Sequence, residues 1–460
     1  MPSMTSVKYT NKKVKKILLI CGIAVAAAAL VATGIYLVVR NGVFYKKEDT
    51  AGNSYSMTAE MKAVMTESDL HKGYMFSRTT KLLAEDRSTD PWVLSWYMLP
   101  GTTRTVPAME SAYVDTFDQI LLLESYIEEG KRTKAESLIR AIDSSLTDGS
   151  GYLLSFRKAD DLITSDRTKE EHNDSLEEQS YLLLTDPPVS MKATTRYLRA
   201  LLDFYDKWGS KKTLEKIEKL ADLVFGADGK KSYRAADRAA KPTPIPVTEK
   251  SLVTPVPEDE ADKDEKSGNI LIGIDGTELS AMDLDAMRRA AVLFPKYQEK
   301  YEAVLKTVKG GKISTELPLY AWLCTGEGKY TYYTGSTGDV ELLPSLYVMV
   351  YLAETGNLDT DGYAWISEKI YNGGYLYTSY NMMSGEAASA TEAMDAYPLV
   401  MYLAMIKGDD NLFTLTYQAM MRHYATLSTS PALYTFYRDL DDSRYAVYAR
   451  ENLLMELILK

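Results

Sequence analysis

The stretch TVPAMESAYVDTFDQILLLESYIEEGKRTKAESLI, residues 105–139, reads as an extended entry followed by two helices. Between Ser111 and Glu128, Tyr113, Phe117, Ile120, Leu121, Glu124 and Ile127 recur at spacings of three and four, which places them on one face of an amphipathic helix. A polar turn then leads into a second helix, from Lys131 to Ile142. Outward from this pair the pattern repeats, with helical stretches at Thr195–Trp208, Lys212–Phe225, Leu284–Phe294, Lys296–Val308 and Pro344–Glu354. Three more follow, at Ala388–Ile406, Leu412–Ala425 and Arg444–Ile458. Alternating β-branched runs with Asn-Gly hairpins are almost absent; only ISTELPLYAW (313–322) and KYTYYTG (329–335) read as short extended pieces. The fold class expected from the pattern is all-α.

Composition agrees with a folded chain, at 45% hydrophobic and 25% charged over 460 residues. Tyrosine is over-represented, with 34 residues against nine phenylalanines, and a ring with a polar tip suits a wet, groove-lined surface. One segment, 229–268, holds five prolines (Pro242, Pro244, Pro246, Pro255, Pro257) and then PEDEADKDEKSG, too little apolar surface to fold on its own. The helical pattern resumes afterwards with the same character, so the segment reads as a disordered insertion in one domain, 58–460. The other reading is a linker between two helical domains.

At the N-terminus, Lys8, Lys12, Lys13, Lys15 and Lys16 precede an uncharged apolar run from Ile17 to Val39. At 1.5 Å per residue the run covers about 34 Å, enough for a hydrocarbon core of about 30 Å. It reads as a single transmembrane anchor over 17–39, longer than the core of a cleaved signal peptide. The preceding lysines keep residues 1–16 cytoplasmic and put the domain outside, beyond a tether at 40–57. Residues 1–49 carry eight basic and two acidic side chains, so the remainder holds a net −17 against the overall −11. Such a domain repels nucleic acid and favours neutral or cationic polymers. Cys324 is the one cysteine beyond the apolar run, which excludes a disulfide within the outer domain. His71, His172 and His423 show no metal-ligand spacing, and no metal or other cofactor is expected.

Four segments together resemble glycoside hydrolase family 8. The opening stretch is similar to the family's first helix pair, in which a glutamate, here Glu110, opens a helix after an extended entry. ELSAMDLDAMRRAAVLFPKYQEKYEAVL (278–305) resembles the segment where a helix leads to phenylalanine, proline and an aromatic-rich helix. GDVELLPSLYVMVYLAETG (338–356) resembles the segment with an aspartate, here Asp339, five residues before a proline, here Pro344. GEAASATEAMDAYPLVMYLAMIKGDDNLF (385–413) resembles the closing helices of bacterial outer-surface relatives. The resemblance implies an (α/α)6 toroid with a sugar groove across the inner helix ends, and a glycosidase acting on a polysaccharide with inversion.

That chemistry needs two carboxyl groups, one protonated to assist the leaving oxygen and one ionised to activate water. The resemblance assigns Glu110 as acid and Asp339 as base. Sugar rings stack their C–H faces on flat side chains, so Trp92, Trp96 and Tyr113 near Glu110 are candidate platforms, as are Tyr330, Tyr332 and Tyr333 beside Asp339, and Tyr375 and Tyr377 further on. Two departures stand against catalysis. Where the family has an aspartate-x-aspartate pair, VSMKATTRYLRALLDFYDKW (189–208) has Lys192 and Thr194, and where it has an arginine after the base, this chain has Leu342. An inactive glycan-binding relative is therefore an alternative, and a helical scaffold for an envelope protein is another. The scaffold predicts an open superhelix, whereas a toroid brings the first and last helices together.

Overall fold

The computed structural model describes residues 23, 25–33, 47–65, 92–100, 109–110, 113–162, 189–226, 276–332, 339–430, 432–441 and 444–459. Besides a short helix at Ala159–Leu162, twelve helices among the described residues organise the fold: α1 (Ala59–Val64), α2 (Thr116–Glu128), α3 (Arg132–Ser145), α4 (Met191–Trp208), α5 (Lys211–Phe225), α6 (Leu284–Leu293), α7 (Gln298–Gly310), α8 (Leu342–Glu354), α9 (Thr360–Gly373), α10 (Ala396–Lys407), α11 (Asp410–Met421) and α12 (Ala449–Leu459). Helices α2, α4, α6, α8, α10 and α12 pack each on the next, and α12 returns to α2. The inner ring is closed, which rules out the open superhelix. The other helices lie outside it, α3 on α2, α5 on α4, α7 on α6, α11 on α10, and α1 on α11. Since α4 packs directly on α6 and α5 also touches α6, the chain on either side of 227–275 belongs to one domain. The expected insertion at 229–268 lies outside the described residues.

The chain turns because each helix has a chemical start and stop. Ser190, Ser210, Asp283, Asp359 and Asp409 accept from backbone N–H groups of their helices' first turns. Gly374 and Gly408, both left-handed, end α9 and α10. The inner helices are nearly wholly apolar in α8 and α10, as befits elements covered on both sides.

Helix α4 is the exception, and its exception organises the ring. Lys192, Arg196, Arg199, Asp203 and Asp206 follow one another at spacings of four, three, four and three, a charged stripe on one face. Arg196 pairs with Glu124 of α2 at 2.6 Å. Arg199 forks onto Asp283, at 2.6 Å through Nε and 2.5 Å through Nη2, and onto Glu354 at 2.6 Å through both Nη1 and Nη2. The Tyr402 hydroxyl donates to Glu354 at 3.0 Å. Lower down, Arg289 of α6 reaches Asp203 at 2.7 Å and Asp206 at 2.8 Å.

Four expectations need correction. The protein is mostly helical but not purely α: β1 (Trp96–Pro100), β2 (Met109–Glu110), β10 (Arg438–Asp441) and β11 (Arg444–Tyr448) form a sheet in the order β10-β11-β1-β2. Smaller pairings join β3 (Tyr113–Asp115) to β4 (Phe156–Lys158), β5 (Gly276–Glu278) to β6 (Leu323–Thr325) and β7 (Tyr330–Thr331), and β8 (Asp339–Glu341) to β9 (Ser379–Asn381). Second, the helices expected from Ala388 and Arg444 begin later, at Ala396 and Ala449. Residues ahead of them find strand partners, Glu392 opposite Tyr377 and β11 against β1. Third, α9 carries Trp365 on a helix absent from the sequence reading.

Fourth, the described part of the tether is no spacer. The Glu48 amide donates to the Tyr205 hydroxyl at 3.1 Å and Thr50 to Asp206 at 2.5 Å. Arg288 donates to the Ala51 carbonyl at 2.8 Å, while Asn53 and Tyr55 both donate to the Glu354 carbonyl at 3.0 Å. Lys47–Met57 is thus a strap across the end of the ring where α4, α6 and α8 finish. Of the expected anchor at 17–39, only Ile23 and Val25–Thr33 are described, as exposed helix. Among the described residues no helix is long and apolar enough to cross a membrane.

The strap's six bonds to the ring, one of them from Lys47 to the Asp206 carbonyl, at about 0.5–1.5 kcal/mol each, should matter to stability. Removing residues 1–57 is expected to lower the denaturation midpoint clearly relative to removing residues 1–46. Equal midpoints would show that the strap rests on the ring without stabilising it.

Candidate active site

At the end of the ring opposite the strap, short strands run straight into inner helices, and an acid stands at the junction. Asp115 ends β3 before α2, Glu278 ends β5 before a single 3-10 turn (Leu279–Ala281) leading to α6, and Glu341 ends β8 before α8. Asp395 stands directly before α10 as well, in a turn and not at the end of a strand. Acids suit helix starts, where backbone N–H groups and the helix dipole favour negative charge. Only Asp115 caps in the usual manner, accepting from the Phe117 and Asp118 amides at 2.8 and 3.2 Å. Glu278, Glu341 and Asp395 make no side-chain cap bond.

Cations stand among these acids. Arg450 of α12 binds Asp115 and Asp118, both at 2.9 Å, and lies over the Phe117 ring. Burial nevertheless pushes the Asp118 carboxyl up to about 7. Arg438 pairs with Glu451 and comes within 3.9 Å of Asp395.

Lys192 is placed differently. It occupies the first turn of α4, at the positive end of the helix, half-buried, with Nζ 3.7 Å from the Tyr347 ring centroid and 5.3 Å from that of Phe117. No carboxylate lies within ion-pair distance of it among the described residues. Burial, and the neighbouring Arg450 charge, lower its pKa to about 8, against the pull of Glu278. Below it the Tyr347 hydroxyl is buried with no hydrogen-bond partner among the described residues. Glu278 accepts from the Ser280 hydroxyl at 2.8 Å; burial raises its pKa, Glu341 adds to the rise, and Lys192 opposes it.

Among the residues expected from sequence, Glu110 sits on β2 opposite Tyr97, not at a helix start. Strand β3 intervenes, and Asp115 opens the helix in its place. Its side chain lies outside the described residues. Asp339 begins β8 opposite Asn381, whose amide approaches it at 3.5 Å, and Glu341 rather than Asp339 holds the position before α8. Pro344 does not open that helix but is its third residue, where the missing N–H costs nothing.

Three of the expected platforms are packing residues. Trp92 is 4% exposed within the core, Tyr113 meets Phe156 edge-on at 5.1 Å, and the Tyr330 hydroxyl donates to the Thr307 carbonyl at 2.8 Å. Trp96, on β1, and Tyr332 and Tyr377 are half-buried. Tyr375 is exposed beneath the Arg422 guanidinium at 4.3 Å, and Tyr333 lies outside the described residues. The Thr194 hydroxyl is buried, accepting from the Leu153 amide and donating to the Ser190 carbonyl.

Sequence reasoning missed Glu278, Glu341, Asp395 and Tyr347. For Glu278 and Glu341 the signal in the sequence is an acid directly before an apolar run, in GTELSA and DVELLP. Cavities of about 610 and 510 Å³ open elsewhere, the second beside the strap at Asn53, Tyr55 and Glu354. The first is lined by Glu60, Lys407, Asp409 and Asp410, and both lie away from the strand-to-helix junctions.

No protein-family model matches the sequence, and no curated protein sequence matches it. Solved structures do. An alpha-amylase from Clostridium perfringens superposes with a TM-score of 0.60 at 18% identity, over 85% of this chain and 96% of its own. A reducing-end-xylose releasing exo-oligoxylanase complexed with xylose gives 0.50 at 11%, over 88% and 95%. An endoglucanase from Klebsiella pneumoniae, a family 8 glycosyl hydrolase, gives 0.45 at 12%, over 75% and 98%.

The depressed pKa of Lys192 has a sign that can be checked without any substrate. A lysine lowered from 10.5 to about 8 destabilises the fold while charged, most at pH below 8, and the cost fades as pH rises toward 10.5. Against this stands a cation–π contact of about 1 kcal/mol. Lys192→Met should therefore stabilise the protein at pH 7 by about 1–2 kcal/mol in chemical denaturation, with the gain shrinking above pH 8. A loss at pH 7 would contradict this placement. The closed ring and these structural neighbours together show that the chain's fold is a toroid of inner and outer helices, like the folds of the alpha-amylase and the exo-oligoxylanase.

Proposed function

We propose that the protein hydrolyses glycosidic bonds of a polysaccharide, with Glu110 as general acid and Asp339 as general base. The observation that carries this reading is the strand-to-helix face of the ring: Asp339 begins β8, which runs into α8, and Glu110 lies on β2 in the sheet whose β11 runs into α12, beside the uncapped acids Glu278, Glu341 and Asp395. A carboxyl acid there protonates the leaving oxygen while an ionised partner takes a proton from water, so that water's oxygen forms the new bond to the sugar carbon. The TM-scores of the sugar-cleaving neighbours support the scaffold for such chemistry.

A second reading, a glycan-binding protein without turnover, is favoured by Lys192 and Thr194 standing where the family resemblance expects acids. We further propose that the lysine-flanked run at 17–39 anchors the chain, with the domain outside. The strap then leaves the ring on the face opposite the strand-to-helix junctions, and those junctions point away from the membrane.

A reducing-end release screen of the full-length chain against β-linked polysaccharides, neutral and cationic ones first, tests the first reading. Glu110→Gln keeps size and removes the transferable proton, so activity should fall by about 10²–10⁴-fold with binding retained. Equal turnover in parent and variant would remove Glu110 from the mechanism, and binding without turnover in either would favour the second reading. For the anchor, protease added outside intact cells should digest the domain and leave an N-terminal stub; full protection would reverse the orientation.

A further inference from the structure

Lys192, Glu278 and Tyr347 form a polar group that the acid and base do not use. Three elements supply it. Lys192 is on the first turn of α4, Glu278 is at the end of β5, and Tyr347 is on α8. Packing of α4 against the 3-10 turn after Glu278 brings the first two together, pinned by a 2.6 Å bond from the Thr195 hydroxyl to the Ala281 carbonyl. Glu278 is oriented by Ser280, and its strongest attractive charge is Lys192.

Each member is costly as it stands. Lys192 is a cation at the positive end of a helix, held over ring faces without an ion-pair partner among the described residues. Tyr347 is 1% exposed, with a hydroxyl that has no partner among the described residues. Glu278 is an acid at a helix start that caps nothing with its side chain. A ligand offering both hydroxyl donors and acceptors would satisfy all three.

We propose that Glu278 and Lys192, with the Tyr347 hydroxyl, are positioning residues that hold the hydroxyl groups of the sugar in the groove. This rests on the glycan reading above and deepens it. Glu278, ionised, accepts from two sugar hydroxyls; Lys192 donates to an oxygen of the same sugar and keeps Glu278 ionised. The carboxylate absent from α4 at Lys192 is thereby supplied from the adjoining inner element. The other charges facing the pair are Glu341 toward Glu278, and Arg450, Asp395 and Asp115 toward Lys192.

Calorimetric titration of the full-length chain with hexasaccharides of β-1,4-glucose, β-1,4-xylose, β-1,4-N-acetylglucosamine and α-1,4-glucose tests this. For the sugar that binds best, Glu278→Gln and Lys192→Met should each weaken binding about tenfold or more, since hydrogen bonds to charged groups are at stake. Lys192→Arg should restore most of it. Binding to the parent should fall as pH drops through the Glu278 titration. Removing the Lys192 charge raises that midpoint, so in Lys192→Met the fall should move to higher pH, and in Glu278→Gln it should vanish. Parent-like affinity and pH profile in both variants would overturn the pair alone. A parent that binds none of the four sugars would overturn the glycan reading and the pair with it.

Discussion

Arg199 is the constraint on which the ring depends. Its guanidinium, 7% exposed, meets Asp283 and Glu354, themselves 0% and 3% exposed, with four bonds of 2.5–2.6 Å. Taking such charges out of water costs several kcal/mol each, and the site is tolerable only because both forks are filled. The energetic consequence is asymmetric. Replacing the whole triad by apolar residues is often neutral, whereas removing one member leaves a buried unpaired charge at about 3–5 kcal/mol. Geometry matters more than net energy here, because a planar fork fixes α4, α6 and α8 at one angle and one height. Tyr402 extends the fixture to α10.

The same stripe on α4 links the two faces of the ring. Below Arg199, Asp203 and Asp206 receive Arg289, and Asp206 also receives the strap through Thr50. Above it, Arg196 is matched by Glu124. Only at the top, at Lys192, does a cation of the stripe lack an ion-pair partner among the described residues. The fold thus spends its charge pairing on alignment along the stripe and leaves the uppermost position open. In the proposed reading, that is where a sugar, and not another side chain, completes the polar contacts.

Much of the architecture was legible because apolar periodicity sets the outer face of each helix. Residues 132–145, 211–225 and 298–310 were found within a few positions, their apolar faces recurring at helical spacing. Boundaries failed where tertiary strand pairing competed with helix extension, at Ala388–Asp395 and Arg444–Tyr448. A short stretch there gains more from a sheet partner than from another helical turn. The charged stripe of α4 was visible at its four-three spacing, yet an inward charged face contradicts the assumption that inward means apolar. The site was legible only in part. Asp339 is singled out by its distance from Pro344, but the structure sets Glu341 and not Asp339 directly before α8, and the uncapped acids Glu278 and Glu341 are told apart from ordinary first-turn acids only by the missing cap bonds. Likewise Trp92 and Tyr330 read as platforms in sequence, and only packing shows them occupied.

The central claim is that acids at the strand-to-helix face cleave a glycan by direct attack of water. The configuration of the first sugar released tests it most directly, because a single displacement inverts the anomeric centre whereas a covalent route retains it. Proton NMR of a β-linked substrate during the first minutes of turnover should show the α anomer of the new reducing end accumulating before mutarotation. First appearance of the β anomer would contradict the account.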